Sequence, residues 1–282
     1  MKDTYRISSS ELRIDNVKTI LVSLENSFKD LGIEFYIIGA LARDIMAIVH
    51  NEKPIRATQD VDLAVLVAGD DNYYSLKKYL IEKENFTADK KLPYRLLFNN
   101  ELIVDLLPFG GIEKDKSSVT LKEGREVITL STFGLKEVHK SAAEVTIDED
   151  LNLTVTTFPG ICILKLIAYS DRPDERAKDI NDINFIIEKY AEMNVEYVSN
   201  EHYDILGKGW DENLSAIVLG RDMRKIMKTD EALMNRILDI LNSSIEDNHN
   251  SKIALLMMTG KDKTLEQKIE VLKNLRDGIL DS

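Results

Sequence analysis

The apolar positions change period several times along the first third of the chain, and each change predicts an element. In SSSELRIDNVKTILVSLENSFKDLG, Leu12, Val17, Ile20, Leu21, Leu24 and Phe28 recur at helical spacing. This predicts one helix, capped by Ser10 and ended by Gly32. IEFYIIG reads as a strand that stops at Gly39, and ALARDIMAIVH as a helix, so Gly39 and Ala40 fall in a strand-to-helix turn. DVDLAVLV is the next strand and NYYSLKKYLIEKE the next helix. YRLLFNNELIVDLLPF predicts a hairpin turning at Asn99-Asn100. Helices alternating with strands, then a strand pair, predict an α/β core on a mixed sheet. SSVTL, EVITL, EVTID and LTVTT are further β-like pieces.

After Thr157 the pattern changes. TFPGICILKLIAYSDRPDERAKDINDINFIIEKYAEM opens with a threonine cap and has Pro159 in its first turn, both helix-start signals. Helical patterns with charged faces continue to Ser282. The expected division is a mixed α/β domain over residues 1–156 and a helical domain over residues 157–282. We find no internal repeat and no low-complexity tract.

Composition narrows the class. With 44% hydrophobic and 30% charged residues, the 282-residue chain matches a soluble globular protein with material for two ordinary cores. No apolar run approaches the roughly 20 residues that span a membrane. The opening MKDTYRISSSELRID lacks the apolar core of a secretory signal. The one cysteine, Cys162, lies in an apolar run, which suits a reducing cytoplasm and excludes an internal disulfide. A net charge of −12 disfavours non-specific binding to nucleic acid and favours small, cationic or metal-bridged substrates, without excluding a local basic groove.

Four places carry candidate chemistry. In RATQDVDLAVLV, Asp60 and Asp62 project to one face of the strand with Val61 opposite. Two adjacent carboxylates either share a hard cation such as Mg²⁺ or stand solvated at a strand edge or turn. Gly39 lets backbone approach a ligand at a helix start, where phosphate is favoured. Arg43, one turn on, either faces that phosphate or is an ordinary surface arginine. Asp105 interrupts the apolar strand LIVDLLPF, and an isolated buried charge is costly. It is either a third carboxylate for the same metals or the partner of Arg95 across the hairpin. Lys165 lies in an apolar helix, and Lys178, Asp179 and Asp182 fall on one side of the next, where a solvated charged face is the simpler reading.

Together these features resemble the DNA polymerase β-like nucleotidyltransferase superfamily, whose pattern is a glycine turn on a helix, an h-D-h-D-h strand and a later third carboxylate. Ala40 stands where that pattern commonly has Ser or Gly, and the gap from turn to aspartates is longer than usual. Over residues 35–190 the closer resemblance is to the AbiEii-type nucleotidyltransferases, which include toxins of toxin–antitoxin and abortive-infection systems. It is carried by GALAR, Thr58 with Asp60 and Asp62, IVDLLP, and Lys165, Ala168, Arg172, Lys178, Asp179 and Asp182. The Arg172-to-Lys178 spacing is slightly long for the family's shortest form.

The resemblance implies a polymerase β-like core with a mixed sheet, followed by a helical C-terminal domain. It implies transfer of NMP from an NTP to a hydroxyl, with two Mg²⁺ ions held by Asp60, Asp62 and Asp105. Asp105 would also take the acceptor's proton. Gly39, Ala40, Arg43, Thr58 and Lys165 would serve the nucleotide, Lys165 by neutralising its triphosphate, with Asp179 and Asp182 orienting Lys165 or Arg172. The implied acceptor is an RNA such as the 3′ end of tRNA, and the implied partner an antitoxin. Two other functions fit the residues: an adenylyltransferase of a small molecule such as an aminoglycoside, and a catalytically silent fold used for protein binding.

Overall fold

The computed structural model describes residues 3–12, 17–54, 60–115, 117–247, 250–258 and 263–281. They form two compact units, Met1–Thr157 and Phe158–Ser282. The first unit runs β1 (Thr4–Ile7), α1 (Val17–Leu31), β2 (Glu34–Ile38), α2 (Gly39–Val49), β3 (Asp60–Val67), α3 (Asp70–Lys83) and β4 (Phe86–Ala88). It continues with β5 (Arg95–Phe98), β6 (Leu102–Gly110), β7 (Ser118–Glu123), β8 (Glu126–Ser131), α4 (Leu135–Lys140), β9 (Ala143–Ile147) and β10 (Leu151–Val155). Eight strands make one mixed sheet in the order β1-β9-β10-β2-β3-β6-β5-β4, while β7 and β8 pair separately.

The sheet's centre is its most apolar part. Leu63, Ala64 and Val65 of β3 and Val104 and Leu106 of β6 are fully buried, as are Leu21 and Leu24 of α1 and Leu76 and Leu80 of α3. Tyr73 also donates its hydroxyl to the Leu106 carbonyl at 3.0 Å. Asn99 and Asn100 take the positive φ values (51° and 61°) that a tight two-residue hairpin demands, and asparagine tolerates them better than most residues. The N-terminal helix departs from expectation. Ser8, not Ser10, is a cap; it closes a capping box with Glu11 on a single 3₁₀ turn, Ser9–Glu11, separate from α1.

Among the described residues the elements of the second unit are all helices: α5 (Phe158–Asp171), α6 (Ala177–Met193), α7 (Val195–Glu201), α8 (Glu212–Met227), α9 (Glu231–Glu246), α10 (Lys252–Met257) and α11 (Leu265–Leu280), with a 3₁₀ turn at Tyr203–Lys208. A buried ammonium joins three of these helices. Lys268 of α11, with no exposed surface, donates to Asn184 of α6 at 2.9 Å and to Glu212 of α8 at 2.7 Å. Among the described residues no helix is long and apolar enough to cross a membrane.

Cys162 on α5 has no exposed surface, and burial pushes its thiol well above the ordinary range. A buried thiol that stays protonated is a poor nucleophile. The expected result with a thiol reagent such as Ellman's is no reaction in native protein and one equivalent in denaturant. Rapid native labelling would contradict this packing.

Candidate active site

The period of two along β3 places Asp60 and Asp62 on one face, both partly exposed, with Val61 fully buried on the other. Strand register brings distant residues alongside them. β3 and β6 are parallel with Asp62 opposite Asp105, and β5 is antiparallel to β6 with Arg95 opposite Asp105. Register partners on neighbouring strands point to the same face. Asp62, Asp105 and Arg95 therefore form a row across three strands, with Asp60 beside it.

The glycine turn meets this row from the other side. β2 pairs with β3 so that Ile38 lies opposite Asp62, and Gly39 follows at once. Thr156 fixes that strand end by donating both its amide and its hydroxyl to the Ile37 carbonyl, at 3.0 and 2.8 Å. Gly39 has φ +70°, and a Cβ built on it would lie 2.2 Å from Asp62 Oδ2. Only a glycine both adopts this backbone and leaves space for the carboxylate. The cap residue of α2, Ile38, has no side chain able to accept from the first turn, so the N–H groups there receive no side-chain cap from it. Gly39 and Ala40 are both partly exposed there.

Arg43 lies in the interior. It has no exposed surface, and its Nε donates to Asp44 at 2.8 Å. The reason is the burial of α2 from Leu41 through Ile48, which leaves it no polar face for an arginine to follow outward. Arg43 is thus an interior cation beside Asp44, and not the ordinary surface arginine of the alternative reading. Thr58 lies outside the described residues.

Asp105 is buried, with its side chain 9% exposed, and both of its oxygens accept from Arg95: Oδ1 from Nε at 2.7 Å and Oδ2 from Nη2 at 2.8 Å. This bidentate pair raises the Arg95 guanidinium further above its already high range, with Asp60 adding a smaller contribution. The two sequence readings of Asp105 are therefore compatible in space: it stands in the carboxylate row and it pairs with Arg95.

The donor set bears on whether Mg²⁺ fits. Carboxylate oxygens from two strands are the hard ligands this ion takes. Yet among the described residues no three His, Cys, Asp or Glu side chains are arranged to hold a metal ion. Arg95 supplies a physical reason, since a guanidinium bracketing both oxygens of Asp105 leaves that carboxylate turned to it. The row suits the ion in the chemistry of its donors.

In the second unit Lys165 is buried between two carboxylates, 2.5 Å from Asp179 Oδ1 and 2.9 Å from Asp182 Oδ2. Among the described residues Asp179 Oδ2 has no hydrogen-bond partner, and it faces Arg176 at 3.8 Å. Asp179 and Asp182 thus hold the Lys165 ammonium, the orienting contact that the resemblance implies. Lys178 does not share their face: it is exposed, whereas Asp179 and Asp182 are buried. Replacing Lys165 by Met leaves two buried carboxylates without their ammonium, a change that costs about 3–5 kcal/mol in comparable settings. Urea unfolding of K165M is expected to show a clearly lowered midpoint, and an unchanged midpoint would contradict the structural weight given to this cluster.

No protein-family model matches the chain, and no curated protein is similar to it. Solved structures resemble it distantly. The antibiotic-resistance factor ANT(2'')-Ia in solution has 15% identity and a TM-score of 0.42, over 67% of this chain and 98% of that one. An antigenic nucleotidyltransferase-like protein from Paracoccidioides brasiliensis has 18% identity and a TM-score of 0.37, over 64% of this chain and 77% of that one. A CCA-adding enzyme in complex with CTP has 11% identity and a TM-score of 0.34, over 96% of this chain and 68% of that one.

Proposed function

We propose that this protein is a Mg²⁺-dependent nucleotidyltransferase that moves NMP from an NTP to a hydroxyl on RNA, such as the 3′ end of tRNA. In this reading it is the toxin of a toxin–antitoxin or abortive-infection pair, with a neighbouring antitoxin as its protein partner. The observation that carries the reading is the register of Asp62 with Asp105, which sets Asp60, Asp62 and Asp105 on one sheet face beside the Gly39 turn.

The reaction is displacement at the α-phosphorus: a bond forms from the acceptor oxygen and the bond to pyrophosphate breaks. Asp60, Asp62 and Asp105 would hold Mg²⁺, which when bound stabilises charge on the attacking and leaving oxygens. The remaining work falls to the chain itself. Backbone N–H groups of Gly39 and Ala40, at the positive end of α2, hold the β and γ phosphates. Asp105 stands where it can take the acceptor's proton.

The net charge of −12 favours a second acceptor class, a polycationic small molecule such as an aminoglycoside. Incubation with NTPs labelled at the α-phosphate, total RNA and aminoglycosides separates the two. Label in RNA is expected. Label on the drug alone would overturn the RNA acceptor but keep the chemistry. No label with any acceptor, and no Mg²⁺-dependent NTP binding, would leave a silent fold used for protein binding. A toxin is further expected to arrest growth on expression, and Asp60→Ala to relieve the arrest.

A further inference from the structure

We propose that Arg95 is a latch on the carboxylate row, holding Asp105 away from a divalent cation until cation and nucleoside triphosphate arrive together. The inference rests on the nucleotidyltransferase reading and adds a positioning residue to it. Arg95 acts through Asp105.

The contact is too well made to be incidental. Two N–H groups of one guanidinium meet the two oxygens of one buried carboxylate, at 2.7 and 2.8 Å. This geometry is specific to arginine, because a lysine ammonium cannot bracket both oxygens in one plane. A cation approaching Asp105 meets a fixed positive charge on the oxygens it needs. Binding is thus an exchange of one cation for another on the same carboxylate, and Asp60 and Asp62 alone give the incoming ion only part of its ligand set.

The backbone around Arg95 is fixed, so release is confined to the side chain. Its amide donates to the Leu92 carbonyl at 2.9 Å and its carbonyl accepts from Asp89 at 3.1 Å. On either side, Leu106 donates to the Tyr94 carbonyl at 2.8 Å, and the buried Lys77 ammonium to the Pro93 carbonyl at 2.7 Å. The Arg95 side chain is 24% exposed against 9% for Asp105, so the guanidinium is the partner with room to leave. A triphosphate offers it a second anion as Asp105 is taken by the cation. Cation and nucleotide should then bind with positive coupling, each making the other's site available, and the coupling should be reciprocal.

The test is calorimetric titration of Mn²⁺ into wild type, Arg95→Met and Asp60→Asn, with and without a non-hydrolysable NTP. Without nucleotide, R95M is expected to bind Mn²⁺ about tenfold more tightly than wild type, within the usual range of coupling between two sites. Nucleotide should tighten Mn²⁺ binding in wild type and much less in R95M. Equal or weaker Mn²⁺ binding by R95M, with D60N abolishing binding, would overturn the latch and keep the metal site. No Mn²⁺ binding by any of the three, with or without nucleotide, would overturn both the latch and the nucleotidyltransferase reading. Should R95M fail to fold, Arg95→Lys replaces it: a gain in Mn²⁺ affinity supports the latch, and no gain overturns it.

Discussion

Asp62→Asn is expected to stop nucleotidyl transfer, lowering its rate on the order of 10³-fold or more, about 4 kcal/mol of transition-state stabilisation. The substitution keeps size and shape and removes one charge. Asp62 is partly exposed at the head of β3, so the neutral amide carries little folding penalty there. It also lies beside the other parts of the site: a Cβ on Gly39 would meet it, Asp105 is its register partner on β6, and Asp60 is two residues back on the same face. Transfer of α-phosphate label should vanish while the circular dichroism spectrum and melting temperature stay near wild type. Asp71→Asn, an exposed carboxylate on α3, should leave both untouched. Transfer by D62N at the wild-type rate would remove Asp62 from the site.

Gly39→Ala should damage stability and activity together. At φ +70° an L-residue carries strain of about 1–3 kcal/mol. The new methyl carbon would also stand 2.2 Å from Asp62 Oδ2 and 3.1 Å from Asp62 Cβ. Rotating the carboxylate relieves the first contact and not the second, so β2 and β3 must also shift. The expected result is a loss of about 2–3 kcal/mol in urea unfolding, with transfer falling as far as in D62N. A stable, active G39A would show that neither the backbone nor the carboxylate is set as described.

Much of the fold was legible because local patterns carried it. The apolar runs of β2 and β3, the Asn99-Asn100 turn and the helical remainder after Thr157 are all short-range signals. What stayed hidden depends on partners far along the chain. The four residues TYRI of β1 become a strand only through parallel pairing with β9, some 140 residues away. The Ser8 cap is a local signal of another kind: Glu11, three residues on, completes its capping box, which the apolar period alone does not reveal. The burial of Arg43 follows from packing around the whole of α2. The pattern of β6 left Asp105 two roles, and only strand register shows that its place beside Asp62 and its pairing with Arg95 coexist.

The most direct measurement compares NTP labelled at the α-phosphate with the same NTP labelled at the γ-phosphate, in wild type and D62N. The expected result is α-label on the acceptor, γ-label released in pyrophosphate, and neither with D62N. Transfer of γ-label to the acceptor, or α-label transfer that survives in D62N, would contradict nucleotidyl transfer at this row of carboxylates.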